Sequence, residues 1–187
     1  MAELKPLIFG GSFDPFHNGH LNLIRSAEKK GYNPIYLIPT FKSPVGKKIY
    51  VSYDERMKLC KLGTSAIKNV KVSDFEGRLK KTCYAIDQVE FVKKIHKNQK
   101  ISLLIGDDNM KEIQTWKNYK KLTESCTIVI AKRMNSKAEK KDTLLGNKIV
   151  KISSSEIRNK IKLKESIDSM VPKKIKEQIK MNNLYDD

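Results

Sequence analysis

Apolar residues in this chain come as short runs that alternate with amphipathic stretches, and the change of period separates strands from helices. Residues 7–10 and 35–39 read as buried strands, 70–72 as a short one, and 101–105 and 127–131 as two more. A last short strand is expected at 148–152. Residues 20–30 set Leu21, Ile24 and Ala27 on one helical face, and Gly31-Tyr32-Asn33-Pro34 ends that helix. Residues 53–66 carry Met57, Leu59, Cys60 and Leu62, opened by Ser52 as N-cap with Glu55 three residues on. Residues 84–95 and 112–122 are read as further helices, and two more, 154–161 and 172–182, close the pattern. The polar stretch 132–146 reads as a surface loop or a frayed helix.

Strand and helix in alternation predict an α/β fold: a doubly wound parallel sheet with helices on both faces. No repeat and no long linker interrupts the 187 residues, so one domain is expected over 1–187, with a C-terminal helical segment from about 153. Ligands of such sheets bind at the carboxyl ends of the strands, where the strand order reverses. Glycine-rich or polar turns follow four of the expected strands, at residues 10–20, 39–48, 106–108 and 152–158. They predict one functional face.

Composition narrows the partners. Hydrophobic residues make up 39% of the chain, in runs too short to cross a bilayer, so no membrane partner is expected. The start of the chain lacks the long apolar core of a secretion signal, and a cytoplasmic location is expected. A net charge of +17 arises from dispersed lysines without a basic block or interleaved aromatics, which reads as a solvated surface and predicts no specific nucleic-acid partner. Cys60, Cys83 and Cys126 form no C-x-x-C pair, so neither a zinc site nor a disulfide framework is expected, and no protein metal site is assigned. They read as small buried hydrophobes.

The chemistry concentrates in Gly10-Gly11-Ser12-Phe13-Asp14-Pro15-Phe16-His17-Asn18-Gly19-His20, directly after Leu7-Ile8-Phe9. Glycines let main-chain N–H groups approach a ligand, the helix start adds a positive dipole end, and imidazoles can donate to phosphate oxygens. The two histidines could instead cap the helix or hold a metal. Ser153-Ser154-Ser155 with Glu156 and Arg158 is a second anion candidate, or an ordinary capping box. Lys42, Lys47 and Lys48 lie in a loop with Pro39, Pro44 and Gly46, within reach of a polyphosphate. Asp107 and Asp108 could serve a ribose or Mg²⁺, or cap a helix, and Trp116 could stack on a flat ring or fill the core. The chain has no P-loop, no G-x-G-x-x-G after the first strand and no nucleophile elbow. Phosphate positioning without a covalent intermediate is expected.

These residues resemble the nucleotidyltransferases. Residues 10–20 match the G-G-S/T-F-D-P-x-H-x-G-H signature, and Ile152-Ser153-Ser154-Ser155-Glu156-Ile157-Arg158 resembles I-S-S-T-x-I-R, with Ser155 for the usual Thr. Cys83-Tyr84-Ala85-Ile86-Asp87, Leu104-Ile105-Gly106-Asp107-Asp108 with Trp116, and the ending from Val171-Pro172 to Leu184-Tyr185 are similar to nicotinate-nucleotide adenylyltransferases. The resemblance implies a Rossmann-like fold of the nucleotidyltransferase type and adenylyl transfer from ATP to nicotinate mononucleotide. The products would be deamido-NAD and pyrophosphate, formed with Mg²⁺ in NAD biosynthesis.

It further implies that His17, His20 and Arg158 are catalytic, His20 nearest the transferring group. Gly10, Gly11, Ser12, Phe13, Lys47, Ser154, Ser155 and Asp108 would bind ATP, Asp108 near the ribose or metal. Tyr84, Ala85, Asp87 and Trp116 would bind the mononucleotide. Ala85 and Gln88 stand where the family usually has Thr, and Ser43-Pro44-Val45-Gly46-Lys47-Lys48 is closer to the S-P-V loop of eukaryotic nicotinamide mononucleotide enzymes. Dual nicotinamide/nicotinate specificity, phosphopantetheine adenylyl transfer and a non-catalytic nucleic-acid-binding module are the alternatives. A homo-oligomer stays open.

Overall fold

The computed structural model describes residues 4–131, 143–145 and 152–186. β1 (Leu7–Gly11), β2 (Ile35–Pro39), β3 (Val70–Val72), β4 (Ser102–Gly106), β5 (Thr127–Ala131) and β6 (Thr143–Leu145) form one sheet in the order β3-β2-β1-β4-β5-β6. Every pairing is parallel. The order reverses between β1 and β4, the topological switch point of a doubly wound sheet.

Alternating strand residues fill two cores. Leu7, Phe9, Ile35, Leu37 and Leu104 point to one face, while Ile8, Tyr36, Ile38, Leu103 and Ile105 point to the other. The first face is covered by α1 (Asn18–Lys29), α2 (Tyr53–Thr64), α6 (Ser154–Lys162) and α7 (Lys173–Met181) through Ile24, Leu59, Ile157 and Ile175. α4 (Ala85–Ile95) and α5 (Tyr119–Ser125) cover the second through Ile86, Val89, Val92 and Leu122. The doubly wound α/β expectation therefore holds, with helices on both faces.

Local departures have local causes. α1 begins at Asn18 because the His17 side chain caps it. In place of the helix expected at 112–122 stand a 3-10 turn at Ile113–Thr115 and α5 from Tyr119, preceded by another 3-10 turn at Asp107–Lys111. Trp116 is extended (ψ 145°) and Asn118 left-handed (φ 54°), and neither conformation propagates a helix. α3 (Phe75–Leu79) was unexpected; five residues show too little period to be read. The segment 132–146 read as loop contains β6, and its residues 132–142 and 146 lie outside the described residues. Of the strand expected at 148–152, residues 148–151 lie outside the described residues, and Ile152 is not in a strand.

The cysteines behave as small hydrophobes. Cys60 and Cys83 are buried and Cys126 half-buried, with none in a disulfide. Burial pushes the thiols of Cys83 and Cys126 up to about 11, and that of Cys60 further, so all three stay protonated near neutral pH.

Candidate active site

Chain ends of β1, β2, β4 and β5 open into one cleft of about 790 Å³, a size suited to a small-molecule site. Gly10–Phe13, His17 and His20 form its floor, and Ser153, Ser154 and Ser155 close one side.

The histidine pair is built by reciprocal capping. His17 is the N-cap of α1, and its Nδ1 accepts from the N–H groups of Gly19 (3.1 Å) and His20 (3.4 Å). His20 Nδ1 in turn accepts from the His17 N–H at 3.2 Å. With each Nδ1 lone pair taken by the main chain, the proton of each neutral ring sits on Nε2. A Cβ at position 19 would come within 2.9 Å of the His17 ring, so this close approach requires glycine. The imidazoles stack with centroids 3.6 Å apart, and His20 meets Phe13 edge-on at 4.9 Å. Capping and a donor thus coexist on each ring: Nδ1 serves the fold, and Nε2 carries the N–H.

Behind the cleft, the loop is braced from distant parts of the chain. Phe13 holds a left-handed backbone (φ 47°), uncommon for a bulky residue, with its ring fully buried. Arg56, buried in α2, donates through Nη1 to the carbonyls of Ser12 (2.9 Å) and Thr40 (2.7 Å), tying the turns after β1 and β2 together. Burial holds its guanidinium below the ordinary value, with Asp14 opposing. Asp14 accepts from the Tyr50 N–H (2.8 Å) and the Tyr185 hydroxyl (2.9 Å). Burial raises the Tyr185 phenol, and the Asp14 carboxylate raises it further.

Of the fifteen residues to which the resemblance gives a site role, thirteen line the cleft: Gly10, Gly11, Ser12, Phe13, His17, His20, Lys47, Tyr84, Ala85, Asp108, Trp116, Ser154 and Ser155. Arg158 and Asp87 do not. Arg158 is buried and points into the protein: it donates to the Asp14 carbonyl (2.6 Å) and to Ser155 Oγ (3.1 Å), with its guanidinium 4.1 Å from the Tyr50 ring. Asp87 accepts from the Tyr84 N–H at 2.8 Å and so caps α4. The capping reading of Ser153 also holds, since its Oγ accepts from the Glu156 N–H at 3.1 Å. Ser154 Oγ donates to the Pro15 carbonyl at 2.9 Å, joining residues 10–20 directly to residues 152–158.

Sequence reasoning overlooked several site residues. Glu76 is fully buried and accepts from the Phe41 N–H and from Gln88 Nε2 (2.7 Å), which fixes the Gln88 amide on the cleft wall. Desolvation raises the Glu76 carboxyl above the ordinary carboxylate range, with the Gln88 and Phe41 hydrogen bonds opposing. Lys117 lines the same wall, its Nζ 4.3 Å from the Tyr84 ring centre. Arg56 shares a helical stripe with Cys60, and an arginine on an apolar face is the one signal that pointed to it.

Sheet order, switch-point cleft and paired imidazole donors define a nucleotide-binding protein of the doubly wound α/β class. The model of the cytidylyltransferase-like family matches residues 8–160. A Fusobacterium nucleatum protein named a probable nicotinate-nucleotide adenylyltransferase is 33% identical over 187 residues, covering 94% of this chain and 97% of its own. A Borrelia hermsii protein of the same name is also 33% identical, covering 97% of this chain and 98% of its own. The chain therefore belongs to the cytidylyltransferase-like family and, within it, to the nicotinate-nucleotide adenylyltransferases. A solved Plasmodium falciparum nicotinic acid mononucleotide adenylyltransferase complexed with NaAD shares the fold, with a TM-score of 0.83, 20% identity and 98% coverage of each chain.

Proposed function

We propose that the chain transfers the adenylyl group of ATP to nicotinate mononucleotide. An oxygen of the mononucleotide phosphate bonds to the α-phosphorus, the bond from that phosphorus to the β-bridging oxygen breaks, and pyrophosphate leaves with the electron pair. The products are deamido-NAD and pyrophosphate. The observation that carries this reading is the His17–His20 pair, with both Nε2 donors set by main-chain bonds to Nδ1 at the start of α1. Nucleotidyl transfer needs positioned donors and charge neutralisation, which such a pair supplies without a protein nucleophile.

His20 and His17 would donate to the phosphates around the reacting phosphorus. The main chain of Gly10–Phe13 would lie along the nucleotide, Ser154 and Ser155 would face the β- and γ-phosphates, and Lys47 would reach them from the facing loop. Arg158 would act from behind, holding Asp14 and Ser155 in place. Tyr84 and Trp116 would enclose the pyridine ring, with Ala85 at the first turn of α4. No group of three or more His, Cys, Asp or Glu side chains among the described residues could hold a metal ion. A Mg²⁺ would instead arrive on the phosphates of ATP, with Asp108, which lines the cleft as Glu112 does, the carboxylate to meet it. Bound there, the cation would supply charge neutralisation on the departing pyrophosphate.

The test is pyrophosphate release with ATP and Mg²⁺, run in parallel with nicotinate mononucleotide, nicotinamide mononucleotide and phosphopantetheine. A preference for the nicotinate substrate of about a hundredfold is expected, equivalent to about 2.7 kcal/mol. Similar rates with both pyridine nucleotides would establish dual specificity, and turnover with phosphopantetheine alone would overturn the reading.

A further inference from the structure

Asp14 lies three residues before His17, inside the loop that carries the donors, yet its carboxylate is buried at 2% exposure and turned away from the cleft wall. Both of its oxygens are taken. Oδ1 accepts from the hydroxyl of Tyr185, 171 residues along the chain, at 2.9 Å, and Oδ2 accepts from the Tyr50 N–H at 2.8 Å. The Asp14 carbonyl accepts from Arg158, whose guanidinium stacks on the Tyr50 ring. Tyr50 ends the segment whose Thr40, Ser43, Pro44, Val45, Lys47 and Ile49 line the cleft. One carboxylate therefore spans the histidine loop and the base of the wall that faces it. The group that fixes its rotation is a phenol from the segment after α7, itself 7% exposed.

We propose that Tyr185 is a positioning residue for the transfer reaction. Its hydroxyl sets the Asp14 carboxylate, and the carboxylate sets the distance between the imidazole donors and the wall that carries Lys47. A misplacement of about 1 Å in such a constellation can cost as much as about a hundredfold in rate. The role of the segment in catalysis rests on the adenylyl-transfer reading; its role in phosphate binding does not.

Tyr185→Phe keeps the buried ring and deletes the one hydrogen bond. Expected are a kcat about tenfold lower, a KM for nicotinate mononucleotide within about twofold of the parent, and inorganic pyrophosphate bound at least about threefold more weakly in calorimetry. Asp14→Asn cannot accept with both side-chain atoms, and the double variant is expected to turn over no more slowly than Asp14→Asn alone. Met181→Ala, at the exposed last residue of α7, leaves the rate unchanged. An unaltered kcat and pyrophosphate affinity in Tyr185→Phe overturns the proposal, as do losses that multiply in the double variant. If the parent turns over no pyridine mononucleotide, the substrate reading fails on its own, and the pyrophosphate titration still decides the part played by Tyr185.

Discussion

His17 and His20 stack at 3.6 Å, inclined by 21°, and each takes a main-chain N–H on Nδ1. The stack makes the pair one rigid unit, so the two Nε2 positions move together with the first turn of α1. The donors are as fixed as the helix they begin.

Asparagine separates their two duties. Its side-chain oxygen stands where Nδ1 stands and is a strong N-cap, but no donor reaches the Nε2 position. His17→Asn is therefore expected to melt within about 1 kcal/mol of the parent while losing about a hundredfold in kcat. Thermal melts and pyrophosphate-release kinetics check both halves. For His20 the expected loss is larger, about a thousandfold in His20→Ala, because the proposed function puts it nearest the transferring group.

Arg56 is a stability residue first. Arg56→Met would leave the Ser12 and Thr40 carbonyls without their donor, at about 1–3 kcal/mol for each buried acceptor. Urea denaturation should report a loss of about 3 kcal/mol, and the affinity for pyrophosphate should fall with it.

Lys117 bears on the choice between substrates. Its ammonium lies over the Tyr84 ring, at the aromatic part of the cleft, where the carboxylate of nicotinate gains from a cation and the neutral carboxamide gains little. Lys117→Met is expected to lower kcat/KM for nicotinate mononucleotide about tenfold and leave that for nicotinamide mononucleotide within about twofold. Equal loss with both substrates would remove Lys117 from this role.

His96 should give the stability a pH dependence of defined sign. Burial holds its imidazole below the ordinary 6.5, Lys71 adds to the depression, and the Tyr36 hydroxyl lies 2.9 Å from Nε2. The unfolded chain therefore binds a proton that the folded protein refuses. The stability from the neutral ring is complete above about 6.5 and is lost as the pH falls through the lower folded value. Between about pH 7 and about pH 5, the urea midpoint should drop less in His96→Gln than in the parent.

Sequence periodicity located most of what places the site. β2, β3 and β5 match their expected limits, β1 runs one residue longer, β4 is shifted by one residue, and the turns after β1 and β4 border the cleft as anticipated. The braces were out of reach for a physical reason. Asp14 meets Tyr185, and Arg56 meets Thr40, through folded space, and no spacing along the chain encodes either contact. Arg158 shows the complementary limit: its place in the second signature is plain in the sequence, whereas its inward direction depends on the Asp14 carbonyl.

The 171 residues between Asp14 and Tyr185 also set a timetable. At a synthesis rate of about 5–20 residues per second, the loop that holds the histidines is made roughly 9–34 s before the phenol that steadies it. Until then the carboxylate lacks one of its two donors, and the loop waits on a residue far along its own chain. Competence arrives only once Tyr185 has been translated, so a nascent or stalled chain with the glycine-rich turn already exposed still lacks the brace that matures it.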